Sequence, residues 1–329
     1  MRHLAGLPHR VGRAAALRDL DAWLRLQFLG VASRSGLARA LVGKPGTARE
    51  VAGSAGLSEV ELVESLLRLG VALGEVRERN GRFSAKGRRL EAIASGDADD
   101  VAGLVEELIV YDGPIDQRLK AHLEGAPRSN YLDGVGNVIA RASRLAEHVV
   151  GPFLAAVAEH CAPATVLDVG CGTGVNLRWI AAASPNAHLT GVDVDADALH
   201  EAERNVHDWS LAGRCRLEVA DVTDLPDNLR RRYDLVVLAQ NIYYWPPEDR
   251  AGVMRLLRQL SSGHVVVVTA VPGRLPIVRH LDLALRVTEH SWRLPTRDEL
   301  RSDAMAAGFR DIRLHTVAPG TDTVALLAS

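Results

Sequence analysis

The spacing of hydrophobic and polar positions changes twice along the chain. Up to about residue 90, apolar residues recur at helical spacing in several short stretches. Residues 91–160 are typical of helices interrupted by glycine and proline. From Thr165 onward, short β-branched runs alternate with helical stretches. The pattern predicts three zones: a domain over 1–90, a helical connector over 91–160 and a second domain over 161–329.

The first zone has the order helix, helix, hairpin. Thr47 and Ser58 each stand three residues before a glutamate, the spacing of a capping box at the start of a helix. Two short runs, 71–76 and 82–85, flank Asn80-Gly81, which suits a tight hairpin turn. This order predicts a mostly helical, winged-helix domain.

The last zone is predicted to be an α/β domain. Five runs are predicted as strands, at 166–169, 188–192, 215–219, 235–238 and 265–269. Crossover-length helices between them predict a parallel sheet with helices on both faces. Residues 272–292 form a helical insertion that we expect to lid the cleft, and Thr296 is predicted to cap the next helix. Two final runs, 312–314 and 323–326, can pair as an antiparallel hairpin. The expected fold is Rossmann-like, with a mainly parallel seven-stranded sheet.

Composition excludes several classes of protein. The chain has 329 residues, of which 47% are hydrophobic and 24% charged, so it can bury a sizeable core and wholesale disorder is excluded. No apolar stretch approaches the roughly 18 to 20 residues that cross a bilayer, and we expect neither secretion nor membrane insertion. The three cysteines have no metal-type spacing, so we expect no metal site, no disulfide framework and a reducing cytoplasm.

The net charge of −2 hides an asymmetry. Residues 1–90 contain 16 Lys and Arg against 8 Asp and Glu, so the other 239 residues carry a net −10. A basic winged helix can indicate DNA contact. The helix that would enter the major groove, Ser58–Leu69, carries Glu59, Glu61 and Glu64 against Arg68 alone, and these carboxylates would repel phosphates. Nucleic acid is therefore the less favoured partner.

The strongest chemical signal is the segment Val166–Gly174, an apolar strand that runs into a glycine-rich turn and then a helix from about Val175. Glycines at 170, 172 and 174 permit positive φ and let the backbone approach a ligand closely. Their G-x-G-x-G spacing differs from the G-x-G-x-x-G of a dinucleotide loop, which disfavours NAD.

The next two predicted strands also end at useful side chains. Asp193 follows one strand, where a carboxylate can accept from both ribose hydroxyls of a nucleoside. Asp221 and Val222 follow the other, where an acid can take an amino proton while an apolar neighbour covers a ring. Ligands of open α/β sheets gather at such strand ends.

At these residues the chain resembles the class I S-adenosylmethionine-dependent methyltransferases. The resemblance implies S-adenosyl-L-methionine as cofactor and S-adenosyl-L-homocysteine as product. The glycine-rich motif, the ribose acid at 193 and the adenine-contacting acid at 221 match the family pattern, as does the strand 233–238. The implied cofactor-binding residues are Asp168, Gly170, Gly172, Gly174, Asp193, Val194, Asp221, Val222 and Gln240.

With its front domain and connector, the chain looks like the winged-helix small-molecule O-methyltransferases of natural-product pathways. That likeness implies a homodimer formed through the front domain, a connector that helps to close the pocket and a small-molecule substrate. The candidate substrate-binding residues are aromatic: Tyr111, Tyr131, Tyr244 and Trp292.

The chain departs from this family at its general base. In the segment 240–249, Tyr243 stands where a histidine often serves, and a free tyrosine, with a pKa of about 10, is a poor proton acceptor at neutral pH. Either another histidine (His148, His280 or His290) approaches, or the acceptor is already nucleophilic. We favour positioning without a dedicated base, with Tyr243 and Asn241, which can hold the acceptor, as candidate catalytic residues.

Two alternatives stay open. One is an S-adenosylmethionine-binding enzyme with non-methylating chemistry, which the missing histidine permits. The other is a winged-helix DNA-binding regulator whose second domain senses the cofactor.

Overall fold

The computed structural model describes residues 10–96 and 99–329. The chain falls into two compact units. The N-terminal unit comprises Met1–Gly113 with Arg141–Ser143, and the sheet unit comprises Pro114–Ala140 with Arg144–Ser329. The predicted connector, 91–160, is therefore divided between the two units.

Helices followed by a hairpin build the N-terminal unit. Its elements are α1 (Arg10–Arg34), α2 (Leu37–Gly43), α3 (Ala48–Ser54), α4 (Val60–Ala72), β1 (Val76–Arg79), β2 (Arg82–Ala85), α5 (Arg88–Ala94) and α6 (Asp99–Val110). Phe28, Leu67 and Phe83 are buried together in its core. Gly70 is needed for this packing, since an added Cβ would stand 2.6 Å from the Phe28 ring.

Four local predictions fall on this unit. The capping box at Thr47 is confirmed, with the Thr47 side chain accepting from the Glu50 N–H. The cap predicted at Ser58 is wrong, because α4 starts later: its N-cap is Glu59, which makes no side-chain capping bond. The hairpin turn is confirmed at Asn80 and Gly81, with φ of 51° and 71°. The strand predicted over 71–76 is wrong except at Val76, because α4 continues to Ala72 and β1 begins only at Val76.

The sheet unit is built on seven strands. They are β3 (Thr165–Val169), β4 (His188–Asp193), β5 (Cys215–Val219), β6 (Tyr233–Ala239), β7 (Ser261–Ala270), β8 (Ile312–Thr316) and β9 (Thr323–Ala328). Their order is β5-β4-β3-β6-β7-β9-β8. The first five run parallel, and β9 is antiparallel to both β7 and β8. The predicted mainly parallel seven-stranded sheet with a terminal hairpin is confirmed.

Helices bury both faces of this sheet. The α-helices from residue 112 onward are α7 (Asp112–Leu123), α8 (Gly136–Cys161), α9 (Val175–Ala183), α10 (Ala196–Asp208), α11 (Arg250–Leu260), α12 (Pro276–Val287) and α13 (Arg297–Ala306). Of these, α8, α9, α10, α11 and α13 supply the side chains that pack on the sheet. Along β6, Leu235 and Val237 pack on the face of α8, α9 and α10, while Val236 and Leu238 pack on the face of α11 and α13. Burial on both sides explains the unbroken apolar runs.

Two features of the helices bear on function. The connection from β5 to β6, residues 220–232, contains only a short 3₁₀ turn at Val222–Asp224, so no α-helix covers the sheet there. Among the helices that the structure describes, none combines the length and the apolarity that crossing a membrane requires.

Candidate functional site

The glycine-rich loop turns sharply at the carboxyl end of β3. The N–H groups of Gly170 and Cys171 both donate to the Val192 carbonyl, at 2.8 and 3.0 Å, which fixes the loop against β4. Gly170, Gly172 and Gly174 have φ of 66°, 52° and 81°, a region that disfavours side chains. A Cβ at Gly172 would meet nothing within 4 Å. The loop is therefore open above Gly172, where a ligand can approach the backbone.

Asn241 supports the loop from below. Its Nδ2 donates to the carbonyls of Gly170 at 2.9 Å, Ala239 at 3.0 Å and Val169 at 3.3 Å. A Cβ added at Gly170 would collide with the same amide. Asn241, predicted to hold the acceptor, thus ties the ends of β3 and β6 together, a contact that the sequence pattern did not indicate.

Asp193 lies beside the opening of the loop. Its Oδ2 accepts from the Gly172 N–H at 2.8 Å and its Oδ1 accepts from the Asp195 N–H at 3.0 Å. Each carboxylate oxygen can accept a second hydrogen bond. Val194, the next residue, is 69% exposed and is the apolar side chain that the end of β4 presents to solvent.

Asp221 stands at the end of the neighbouring strand. Its Oδ1 accepts from the Thr223 N–H and hydroxyl, at 2.8 and 2.7 Å, which starts the 3₁₀ turn and leaves Oδ2 available. Val222, predicted to cover a ring, is buried in the hydrophobic core. The structure thus brings the ends of β3, β4 and β5 together as predicted, with Val194 rather than Val222 exposed.

Asp168 is the most unusual group at this edge. It is 0% exposed, and neither carboxylate oxygen has a hydrogen-bond partner within the described residues. Burial, reinforced by the negative charge of Asp193, raises the pKa of Asp168 to about 8, while the polar side chain of Asn176 acts to lower that pKa. The same burial raises the pKa of the Cys171 thiol well above its ordinary value. A buried acid without a partner, beside an open glycine loop, fits a cationic ligand.

Gln240 closes the edge at β6. Its N–H donates to the Val268 carbonyl at 2.7 Å, and its Oε1 accepts from the Ala270 N–H at 3.3 Å. It adopts a left-handed φ of 59°, unusual for a residue with a side chain. Such strain is typical of functional sites.

Beyond Gln240, two tyrosines have different surroundings. Tyr243 is 9% exposed and packs in a small cluster with Ala270, Leu285 and Leu294. Tyr244 is 37% exposed, with its ring centroid 4.9 Å from that of Tyr243. Tyr244 therefore offers an accessible aromatic face, whereas the Tyr243 ring is packed beneath α12.

The other predicted substrate residues lie in two places. In the sheet unit, the Tyr131 hydroxyl lies 2.8 Å from Nε2 of His122. The backbone N–H of Trp292 donates to the Tyr243 carbonyl at 2.8 Å. Arg128 lies over the Trp292 ring, 5.8 Å from its centroid. Tyr111 belongs to the N-terminal unit, where its side chain is buried. Their role in substrate binding stays a prediction.

The candidate histidines are dispersed. Nε2 of His280 pairs with Asp116 at 3.2 Å. His290 is exposed and has a φ of 56°. Among the residues that the structure describes, no group of three or more His, Cys, Asp or Glu side chains could hold a metal ion.

The residues of this site lie within a stretch of sequence that is similar to known proteins. A family model described as a methyltransferase domain matches residues 166–263. Over 143 residues the chain is 29% identical to a trans-aconitate 2-methyltransferase of Rhodopseudomonas palustris. The aligned stretch covers 42% of this chain and 51% of that protein. The chain thus spans about half the length of that relative.

Two longer similarities cover most of the chain. A 3-hydroxy-5-methyl-1-naphthoate 3-O-methyltransferase of Streptomyces sahachiroi is 26% identical over 278 residues, 80% of this chain and 79% of that protein. The crystal structure of human N-acetylserotonin methyltransferase in complex with S-adenosylmethionine has a TM-score of 0.78 at 16% identity, covering 98% of this chain and 99% of that one. The chain therefore shares the fold of these methyltransferases, and its residues 166–263 match a methyltransferase domain.

Proposed function

We propose that this protein transfers a methyl group from S-adenosylmethionine to an oxygen of a small molecule, without a histidine base at position 243. The observation that carries the proposal is the group at the adjoining ends of β3 and β4. There the unpartnered Asp168, the open backbone at Gly172 and the half-engaged Asp193 lie beside the exposed Val194.

Each of these groups suits one part of the cofactor. Asp193 has acceptor capacity left on both oxygens for a ribose diol. Val194 can cover the adenine ring, and Oδ2 of Asp221 can accept from its amino group. Asp168 supplies a buried carboxyl that can release its proton and pair with the cationic amino acid end. When bound, the cofactor supplies an electrophilic methyl group on a sulfonium.

Positioning is the contribution we assign to the protein at the acceptor side. The charge on sulfur disappears as the methyl group leaves, so little new charge needs stabilisation, and orientation of the acceptor can account for most of the rate. Tyr243 packs in an apolar cluster, which favours a structural use of its ring. Tyr244, being accessible, suits a planar acceptor. The Streptomyces relative is a naphthoate O-methyltransferase, which supports an aromatic acceptor of natural-product type.

The remaining roles follow from the same likeness. We assign the N-terminal unit to a winged-helix dimerisation role in a cytoplasmic homodimer, supported by exposed apolar side chains on α1 at Leu20, Trp23 and Leu26. Non-methylating chemistry with the same cofactor is the second candidate, favoured by the tyrosine at 243.

The cofactor assignment is tested by replacing the ribose acid. Asp193→Ala should weaken S-adenosylmethionine binding at least tenfold, about 1.4 kcal/mol, in a calorimetric titration. Asp197→Ala is the matched control, since Asp197 is an exposed acid on the first turn of α10. Equal affinity in the Asp193 variant and the parent protein would contradict the assignment.

Methyl transfer itself needs a separate measurement. The protein is incubated with methyl-labelled S-adenosylmethionine and a metabolite extract, and the products are identified by mass spectrometry. We expect one small compound to gain a single methyl group on oxygen. Consumption of the cofactor without a methylated product would instead support the non-methylating alternative.

A further inference from the structure

A cavity of about 450 Å³ lies at the amino ends of β3, β4 and β5, the opposite edge of the sheet from the glycine loop. It exists because the connection over 220–232 contains no α-helix to cover the sheet there. Its volume is in the range of small-molecule sites, about 300 to 1,000 Å³. The polar side chains of its wall are Thr165, His188, Thr190, Arg214, Arg216, Asn228 and Arg231.

The charge of the cavity wall is positive. It contains three arginines and neither aspartate nor glutamate. Arg214 is engaged with the backbone, donating to the carbonyls of Ala181, Ser184 and Ala187 at the end of α9. Arg216 pairs with Glu218 at 2.8 Å. These contacts leave Arg231 as the guanidinium whose charge is uncompensated.

Arg231 contacts an aromatic ring but makes no side-chain hydrogen bond or ion pair with another described residue. Its guanidinium lies over the Tyr233 ring, 4.9 Å from the centroid. Within residues 10–96 and 99–329 it has no hydrogen-bond acceptor and no acidic partner. A cation stacked on an aromatic face keeps its N–H donors directed outward, so Arg231 is oriented for an anion.

Further polar groups along the wall are also unengaged. The side chains of His188, Thr190 and Asn228 make no hydrogen bond to any other described residue, although Thr190 is only 2% exposed. Thr190 and Arg216 are register partners on β4 and β5, so the hydroxyl lies on the same strip of sheet as a guanidinium.

We propose that this cavity binds a phosphate-bearing small molecule. An arginine fork matches a phosphate in geometry and charge, and the amide and hydroxyl groups can bind its remaining oxygens. A nucleic acid fits less well: the Tyr233 ring is fully buried, so the imidazole of His188 is the one aromatic ring that the wall offers to a base. The site is separate from the cofactor edge, and its existence does not depend on the proposed methyl transfer.

The proposal is tested by calorimetry at constant ionic strength with inorganic phosphate, pyrophosphate and ribose 5-phosphate as separate probes. We expect saturable binding of at least one, with Kd below about 1 mM. Arg231→Ala should weaken it at least tenfold, and Arg231→Lys should recover part of the loss. Arg301→Ala, at an exposed position on α13, is the control and should leave it unchanged.

The results of these titrations distinguish support for the anion site from its rejection. Binding of ribose 5-phosphate in preference to phosphate identifies a phosphorylated metabolite, and the reverse identifies the free ion; both support the site. No saturable binding, an equal loss in the Arg301 variant, or displacement of the probe by saturating S-adenosylhomocysteine would each overturn it. An unchanged S-adenosylhomocysteine titration in Arg231→Ala shows that the variant is folded, and failure of the parent protein in that titration would count against the proposed function alone.

Discussion

At the level of a single residue, the titration of Asp168 makes the stability of the protein depend on pH. Its carboxyl is buried without a partner, and its pKa is raised from 3.8 to about 8. The folded state therefore holds the proton more tightly than the unfolded state does. The stability that this proton contributes is complete below about pH 4 and is lost as the pH rises through about 8.

Asp168→Asn removes that titration. We expect the melting temperature of the variant to rise relative to that of the parent from pH 5 to about pH 8 and to keep this advantage at pH 9, because only the parent must hold a proton or bury a charge there. The same variant should bind S-adenosylmethionine more weakly, since an amide cannot ionise to pair with the cationic amino acid end of the cofactor. Calorimetric melting across this pH range, with cofactor titration at pH 7, checks both. Parallel melting curves at all pH values would contradict the raised pKa.

The sequence predicts the role of a residue well when the contacts that define this role are with residues close to it along the chain. The glycines of the loop and the acid at 193 follow from backbone geometry and from strand ends, which sequence spacing defines. Asn241 could not be placed in the same way, because its contacts with Val169 and Gly170 join segments about 70 residues apart. Val194 and Val222 both follow strands, and only packing decides that the first is exposed and the second buried.

At the level of elements, the start of a helix illustrates what spacing can and cannot predict. Thr47 and Ser58 have the same capping-box pattern, yet only Thr47 caps. Glu50 completes the box, and its hydrogen bonds to Thr47 lower the pKa of that glutamate. The spacing names a possible cap, but the actual first turn of α4 is set by how the helix packs its buried side chains.

Because Thr47 caps a helix and Ser58 does not, alanine variants at these two positions form a matched pair within one unit. Thr47→Ala should destabilise the N-terminal unit by about 1 kcal/mol, because α3 loses a side-chain cap. Ser58→Ala should change the free energy of unfolding by less than about 0.5 kcal/mol, as for a surface position. Urea unfolding followed by circular dichroism gives both values. Equal losses in the two variants would mean that Ser58 caps α4 in solution.

The strands were predicted more accurately than the helices of the first half. Residues of β6 and β7 are apolar on both faces, so the runs stand out whatever their partners. Residues 71–73 are also apolar, but there the run continues α4 to Ala72 before Gly74 adopts a φ of 78°. A short apolar run without alternation does not distinguish a helix end from a strand.

At the level of the whole molecule, the distribution of charge separates a methyltransferase from a DNA-binding regulator. The first 90 residues carry an excess of basic residues, which would favour nucleic acid if it lay on the helix that reads the groove. On α4 the structure shows the reverse. Glu59 and Glu61 are exposed, and Arg68 is paired with Glu64 at 2.7 Å and with Glu78 at 3.5 Å.

A gel shift therefore distinguishes the two functions. We expect no retardation of duplex DNA at micromolar protein and about 150 mM salt, because the face of α4 would bring carboxylates against phosphates and release no counterions. Glu59→Lys combined with Glu61→Lys is the informative comparison, since reversing these two charges should produce salt-sensitive retardation if α4 is presented as in a DNA-binding winged helix. Retardation by the parent protein that persists at this salt concentration would favour the regulator, because charge repulsion on α4 would then have to be outweighed by basic residues elsewhere in the N-terminal unit.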